Sequence, residues 1–188
     1  MKYIVITRKH LMIFCSLFLA SIIGIICSVG VMANSDRKLP IYCVDTAEKK
    51  VALSFDAAWG NDDTEQLINI LKEYDAKATF FVVGAWVDKY PESVKQLSDA
   101  GHQIMNHSNT HPNMPSLNNT QKLDELSACN KKIAEITGKA PTLFRPPYGD
   151  YDNATIEACE TLNMHTIQWD VDTSATASNP HEYWLKER

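Results

Sequence analysis

A chain of 188 residues, 45% of them hydrophobic, has room for one globular domain and an appendage. Its 18 Lys and Arg stand against 23 Asp and Glu, a net charge of −5, which argues against a nucleic-acid binder, since such proteins carry a basic patch or stripe. Five cysteines without a CxxC pair do not make a disulfide framework.

Lys2, Arg8 and Lys9 precede an uncharged stretch over residues 11–32. Those residues would rise about 33 Å as a helix, enough to cross a hydrocarbon core. Two readings stay open: a retained single-pass anchor, or a secretory signal cleaved near Ala33, where Val31 and Ala33 supply the small residues of a cut site. In both, the basic flank stays inside and the remainder faces outward, which predicts an extracytoplasmic domain on a cell membrane or a secreted one. Cys15 and Cys27 fall in this stretch, leaving Cys43, Cys129 and Cys159; the last two read as small buried hydrophobes of helices. Residues 34–49, polar and marked by Pro40, read as a tether, so the expected organisation is 1–33 flank and anchor or signal, 34–49 linker, and 50–188 domain.

From residue 51 strands and helices alternate. Residues 51–55 predict a buried strand, and Asp62 with Glu65 predicts a capping box for a helix whose Leu67, Ile70, Leu71 and Tyr74 line one face. Residues 78–83, rich in β-branched and aromatic side chains, predict a second strand closed by Gly84. Pro91 suits the first turn of a helix carrying Val94 and Leu97 and ended by Gly101. A short strand over 103–105 follows. Leu126, Cys129, Ile133 and Ile136 mark a further helix, stopped by Gly138 ahead of Pro141. Strands over 142–144 and 165–169 flank a helix over 154–162. Five alternations specify an α/β fold with a parallel sheet, closed or nearly closed into a (β/α) barrel.

Polar clusters follow the strands, where parallel α/β architectures gather their chemistry. The first strand ends on Asp56. His107-Ser108-Asn109-Thr110-His111 follows the third, and two imidazoles four residues apart reach one ion when the backbone between them makes a single helical turn. Arg145-Pro146-Pro147-Tyr148-Gly149 and Trp169-Asp170-Val171-Asp172-Thr173 follow the fourth and fifth. Taken singly each has an ordinary explanation: surface or capping histidines, a helix-terminus carboxylate, a loop salt bridge, core tryptophans. His102 and His165 lie outside any cluster and read as structural.

Taken together and in order, these clusters resemble the polysaccharide deacetylase family, also called the NodB-homology or carbohydrate esterase family 4 domain, over about residues 47–173. The wording of 54–60 and 107–112 is similar to the membrane-anchored deacetylases of sporulation. The resemblance implies an incomplete (β/α) barrel of the NodB type behind an N-terminal transmembrane helix. It implies a hydrolase that removes N-acetyl groups from amino sugars of a cell-wall polysaccharide such as peptidoglycan, with the help of a divalent metal, zinc being the expected ion. By the same resemblance Asp56 is the general base, His107 and His111 are metal ligands, Arg145 holds Asp56, and Asp172 is a buried acid that tunes the pair. The N–H of Tyr148 helps bind the oxyanion, and Trp59 suits stacking on a sugar ring.

Two departures from the family pattern stand out. Ala57 occupies the position of an aspartate metal ligand, and a methyl group cannot coordinate a cation, which weakens the site to two imidazoles and water. The Leu-x-His element that carries the family's general acid is absent, and His181, in a polar tail, is no substitute. The chain therefore reads as a C-terminally truncated member. Three functions remain open: the deacetylase, a catalytically degenerate membrane-anchored protein of glycan binding or morphogenesis, and a non-functional fragment. The partners implied are a cell-wall glycan and, through residues 11–32, a membrane; nucleic acid is not among them, and no protein partner is implied.

Overall fold

The computed structural model describes residues 37–172, together with Arg8, Lys9, Met12 and Phe18. The chain divides into two compact units, Met1–Arg37 and Lys38–Arg188. In the first, Arg8, Lys9, Met12 and Phe18 are helical. Among the described residues no helix is long and apolar enough to cross a membrane; most of the span expected over 11–32 lies outside them, as do 173–188 with His181.

The second unit is a parallel α/β fold. Its strands β1 (Leu53–Ala57), β2 (Ala78–Val82), β3 (Gln103–Asn106), β4 (Leu143–Phe144) and β5 (His165–Thr166) pair in chain order. Between them run α1 (Thr64–Glu73), α2 (Gly84–Lys89), α3 (Pro91–Asp99), α4 (Asn119–Thr137) and α5 (Asn153–Thr161). Neighbouring parallel strands need a crossover, and the helices supply it. β2 is buried along most of its length, with Ala78, Phe80, Phe81 and Val82 all in the core, as a strand covered on both faces must be. Leu71, Val87, Val94, Leu97, Cys129 and Ile133 pack against it in one hydrophobic cluster. A second cluster of Met114, Leu126, Phe144, Ala158, Cys159 and Met164 lies under β4.

Several expectations change. β1 begins two residues late and is an edge strand, with Val51 83% and Leu53 43% exposed; among the described residues it pairs only with β2. Helix α1 has Asp63 at its N-cap without a side-chain cap, so the Asp62 and Glu65 box does not form. Tyr74 caps its other end and is exposed, and Ile70 is exposed too, so Leu67, Ile68 and Leu71 make the buried face. The capping box belongs to α4, where Asn118 accepts from Gln121 N–H and Gln121 accepts from Asn118 N–H, an Asn-x-x-Gln signal of the usual spacing. Gly84 does not merely close a strand; it opens the short helix α2. Pro91 and Gly138, the latter left-handed at φ 70°, begin α3 and end α4 as expected.

Within the segment read as a tether, Ile41 joins the fold. Ile41 N–H donates to Thr166 O at 2.9 Å and Ile41 O accepts from Gln168 N–H at 2.8 Å, a parallel bridge on the free side of β5. β5 itself is two residues long, shorter than the 165–169 expected; Ile167 follows it as a lone bridge to Ile41, and the chain bends at Asp170 and Val171.

Candidate functional site

Three strand ends converge. Asp56 lies near the end of β1, His107 follows β3, and Arg145 follows β4. Arg145 Nη1 donates to Asp56 Oδ1 at 2.8 Å and Nη2 to Ser54 Oγ at 2.7 Å, a charge-assisted contact that fixes the carboxylate. The guanidinium is buried, 4.2 Å over the Phe81 ring and 5.8 Å from that of Trp169, where the ring quadrupoles favour a cation. Its Nε is buried without a hydrogen-bond partner among the described residues. Ser54, two residues before Asp56 on the same face of β1, went unremarked in the sequence; its only signal was that period.

His107 is buried. Its Nδ1 lies 2.7 Å from Arg145 O, a carbonyl that can only accept, so Nδ1 carries the proton and Nε2 offers a lone pair. That Nε2 is 3.8 Å from Asp56 Oδ2. Burial pushes the His107 pKa down against the raising effect of Asp56, so the contact is one of a neutral imidazole with a carboxylate rather than an ion pair. Burial lowers His111 as well.

The two imidazole centroids are 5.0 Å apart, edge to face, but no helical turn brings them there. Residues 107–111 form a loop in which Ser108 (φ 68°) and His111 (φ 61°) are left-handed. Asn106 accepts from Ser108 N–H at 2.7 Å, and Ser108 Oγ accepts from His111 N–H at 3.0 Å. Asn106 is in turn anchored by donating to Leu126 O and Asn130 Oδ1 of α4. Helical spacing was the wrong local geometry for the right proximity.

Trp59 and Tyr148 flank His111, with ring centroids 5.1 and 4.7 Å from it, and both are exposed, Trp59 by 81%. Tyr148 sits in a tight turn with φ 60°. The two backbone bonds of that turn use Gly149 and Asp150 N–H, not that of Tyr148. Gln168 donates to Gly149 O at 2.6 Å, and Asn113 to Asp150 Oδ2 at 2.7 Å, tying the turn to the segments that follow β5 and the histidine loop. Asp172 does not occupy the buried position expected of it. It is exposed at the end of the described residues, because the chain has already left the short β5.

Among the described residues no group of three or more His, Cys, Asp or Glu side chains is gathered for a metal ion. The Ala57 methyl brings no donor to the site. What remains still suits a divalent cation. The neutral Nε2 of His107 and, beside it, the His111 ring are two imidazole donors of the kind a divalent cation takes.

The model of the polysaccharide deacetylase family matches residues 44–167, and the chain belongs to that family. It is 36% identical over 131 residues to the peptidoglycan-N-acetylmuramic acid deacetylase PdaA of Bacillus subtilis, covering 69% of this chain and 50% of that protein. Among solved structures it is similar to the peptidoglycan N-acetylglucosamine deacetylase Bc1960, with TM-score 0.68, 30% identity and coverage of 71% and 62%. It is also similar to BA3943 of Bacillus anthracis, described as a pseudoenzyme of carbohydrate esterase family 4, with TM-score 0.69, 36% identity and coverage of 71% and 48%. The chain spans between 27% and 54% of the length of the curated relatives it matches, about half of PdaA among them.

Proposed function

We propose that this chain carries the hydrolase function of its family: removal of N-acetyl groups from amino sugars of a cell-wall polysaccharide, peptidoglycan being the substrate class of its named relatives. One observation carries the reading. A single carboxylate, Asp56, is held by Arg145 at 2.8 Å while its other oxygen faces His107 Nε2 at 3.8 Å. That is the arrangement of a general base, held by a cation on one side and left open on the other.

His107 and His111 would hold the divalent ion, zinc in the first instance, which when bound supplies Lewis acidity at the acetyl carbonyl. Arg145 holds and aims the Asp56 carboxylate. Asp56 takes a proton from the attacking water, the water oxygen forms the new bond to the carbonyl carbon, and the C–N bond breaks. Asp56 passes the water-derived proton to the departing sugar nitrogen, which becomes a free amine, and the acetic acid that leaves with the water oxygen loses its proton to solvent as acetate. The N–H of Tyr148 would steady the charge on the carbonyl oxygen, and Trp59 would offer its exposed face to a sugar ring. The finer architecture proposed is an incomplete (β/α) barrel, and the location proposed is outside the cytoplasm, on the membrane through residues 11–32 or secreted. Substituting Asp56→Asn should cut acetate release from N-acetylated chitooligosaccharide or peptidoglycan at least ~100-fold; an unaltered rate overturns the mechanism.

A second reading has its own observation: Ala57 leaves two imidazoles where a third ligand would close the site, and a structural relative is a pseudoenzyme. On it the protein binds glycan without turning it over. A chain that takes up neither zinc nor cobalt at saturating ion, yet retains glycan affinity, favours this reading.

A further inference from the structure

From α4 one carboxylate reaches across to the histidine loop. Glu125 Oε2 accepts from the backbone N–H of Asn109 and of Thr110, both at 2.8 Å, and Glu125 Oε1 accepts from Thr110 Oγ1 at 2.7 Å. Lys132, two turns further along the same helix, donates to Asn109 Oδ1 at 2.7 Å and to Asp88 of α2 at 2.6 Å. The loop needs such a seat. Two of its non-glycine residues, Ser108 and His111, are in the left-handed region, which costs of order 1 kcal/mol each and persists only where the surroundings over-determine it. Its successive N–H groups at 109 and 110 would otherwise lack an internal partner, because a loop of this shape has no ladder to join.

We propose that Glu125 is a positioning residue for His111. It does not face the reacting atoms; it clamps the middle of the loop so that the second imidazole is presented beside the first. Hydrogen bonds from two backbone amides and a hydroxyl onto one carboxylate are charge-assisted and roughly twice as strong as neutral ones. His107 has its own anchor in Arg145 O, whereas the backbone N–H of His111 is held by Ser108 of the same loop. Release of Glu125 therefore frees one ring and leaves the other. The inference deepens the reading of His107 and His111 as ligands of one ion, and rests on it for its metal-binding consequence.

The test uses the full chain with Glu125→Ala and Glu125→Gln, measured by amide hydrogen exchange and by titration with Co²⁺ alone. In Glu125→Ala the amides of Asn109 and Thr110 should exchange at least ~10-fold faster while those of β2 keep their protection, and Co²⁺ affinity should fall ~10- to 100-fold, the usual cost of losing an outer support of a metal ligand. Glu125→Gln should restore most of both, since its carbonyl can still accept the two amides and its amino group can donate to the Thr110 hydroxyl. Unchanged exchange at 109 and 110, or unchanged Co²⁺ affinity in Glu125→Ala, overturns the proposal. If the unsubstituted protein takes up no Co²⁺, the metal reading itself fails. The seat is then judged by the exchange and by the ring-proton resonances of His111, which Glu125→Ala should shift and those of His107 should not follow; unmoved His111 resonances overturn it.

Discussion

The two halves of the sheet are built to different standards. β1, β2 and β3 pair over five and then four residues, whereas β3 meets β4 at one residue and β4 meets β5 at two. The long-strand half supplies Asp56 and His107, and the short-strand half supplies Arg145 and the Tyr148 turn. The site is thus strung between a part of the molecule held by backbone ladders and a part held by side chains: the Arg145 contacts to Asp56 and Ser54, the Phe144 cluster, and the Gln168 and Asn113 ties. In the short half, positional accuracy comes from packing and polar cross-links, which single substitutions can remove.

The sharpest way to break that division is Arg145→Ala, which removes the side-chain link from the short half to Asp56 and Ser54. Acetate release should fall ~10²-fold or more. Stability should drop about 2–3 kcal/mol, less than the ~3–5 kcal/mol of a fully buried pair, because the Asp56 side chain stays 34% exposed and water can take over part of the lost contact. Denaturant titration alongside the assay measures both.

Core deletions in the two halves come next. Phe80 and Phe144 are both buried, and each change to Ala should cost ~3–5 kcal/mol. Phe144→Ala should also lower the rate per folded molecule, since Phe144 precedes Arg145 and its strand meets β3 at a single residue; Phe80→Ala should not. Equal loss of rate in both would erase the distinction. Native-state exchange reads the same contrast without mutation: the amides of His165 and Ile167, bonded to Thr142 and Phe144, should open at lower free energy than those of Val83 and His107, bonded to Ala57 and Val82.

A smaller effect is expected from Ile41→Pro, which removes the N–H donated to Thr166. Unfolding free energy should drop about 1–2 kcal/mol, with the loss confined to protection around β5. The smallest concerns pH. Burial raises the Asp152 carboxyl, but hydrogen bonds from Thr155 and Lys122 outweigh it and hold the pKa below the ordinary value. A carboxylate depressed in the folded state adds stability above its unfolded pKa, and that stability is lost as pH falls through the folded value. The thermal stability gap between the unsubstituted protein and Asp152→Asn should therefore close in acid and be open at neutral pH.

Much of this architecture can be read from residue order, because buried parallel strands announce themselves as apolar runs and Pro91 and Gly138 punctuate helices through their own backbone chemistry. The residues of the site can be named for the same reason: they follow strands. Their geometry cannot. The loop of 107–111 looks helical by spacing but is shaped by Asn106, Ser108 and Glu125, one of them on a helix 14 residues beyond His111. Ile41 looks like linker because a single bridge leaves no periodic trace. Asp172 looks buried only if β5 continues, and strand length depends on neighbours rather than on the strand's own residues. Asp62 and Glu65 show the converse, a capping spelling that the local turn at Asn61 pre-empts.

Gly84 opens α2 directly beside the histidine loop, and its N–H and that of Ala85 donate to Ser108 O and Asn109 O at 2.9 Å. A side-chain carbon at position 84 would sit 3.1 Å from the Asn109 Cα and collide with its side-chain oxygen. The spacing between two consecutive strand-end loops is therefore gauged by a missing methyl group, and the reach of His111 toward the mouth of the site is set from behind by the smallest residue the chain possesses.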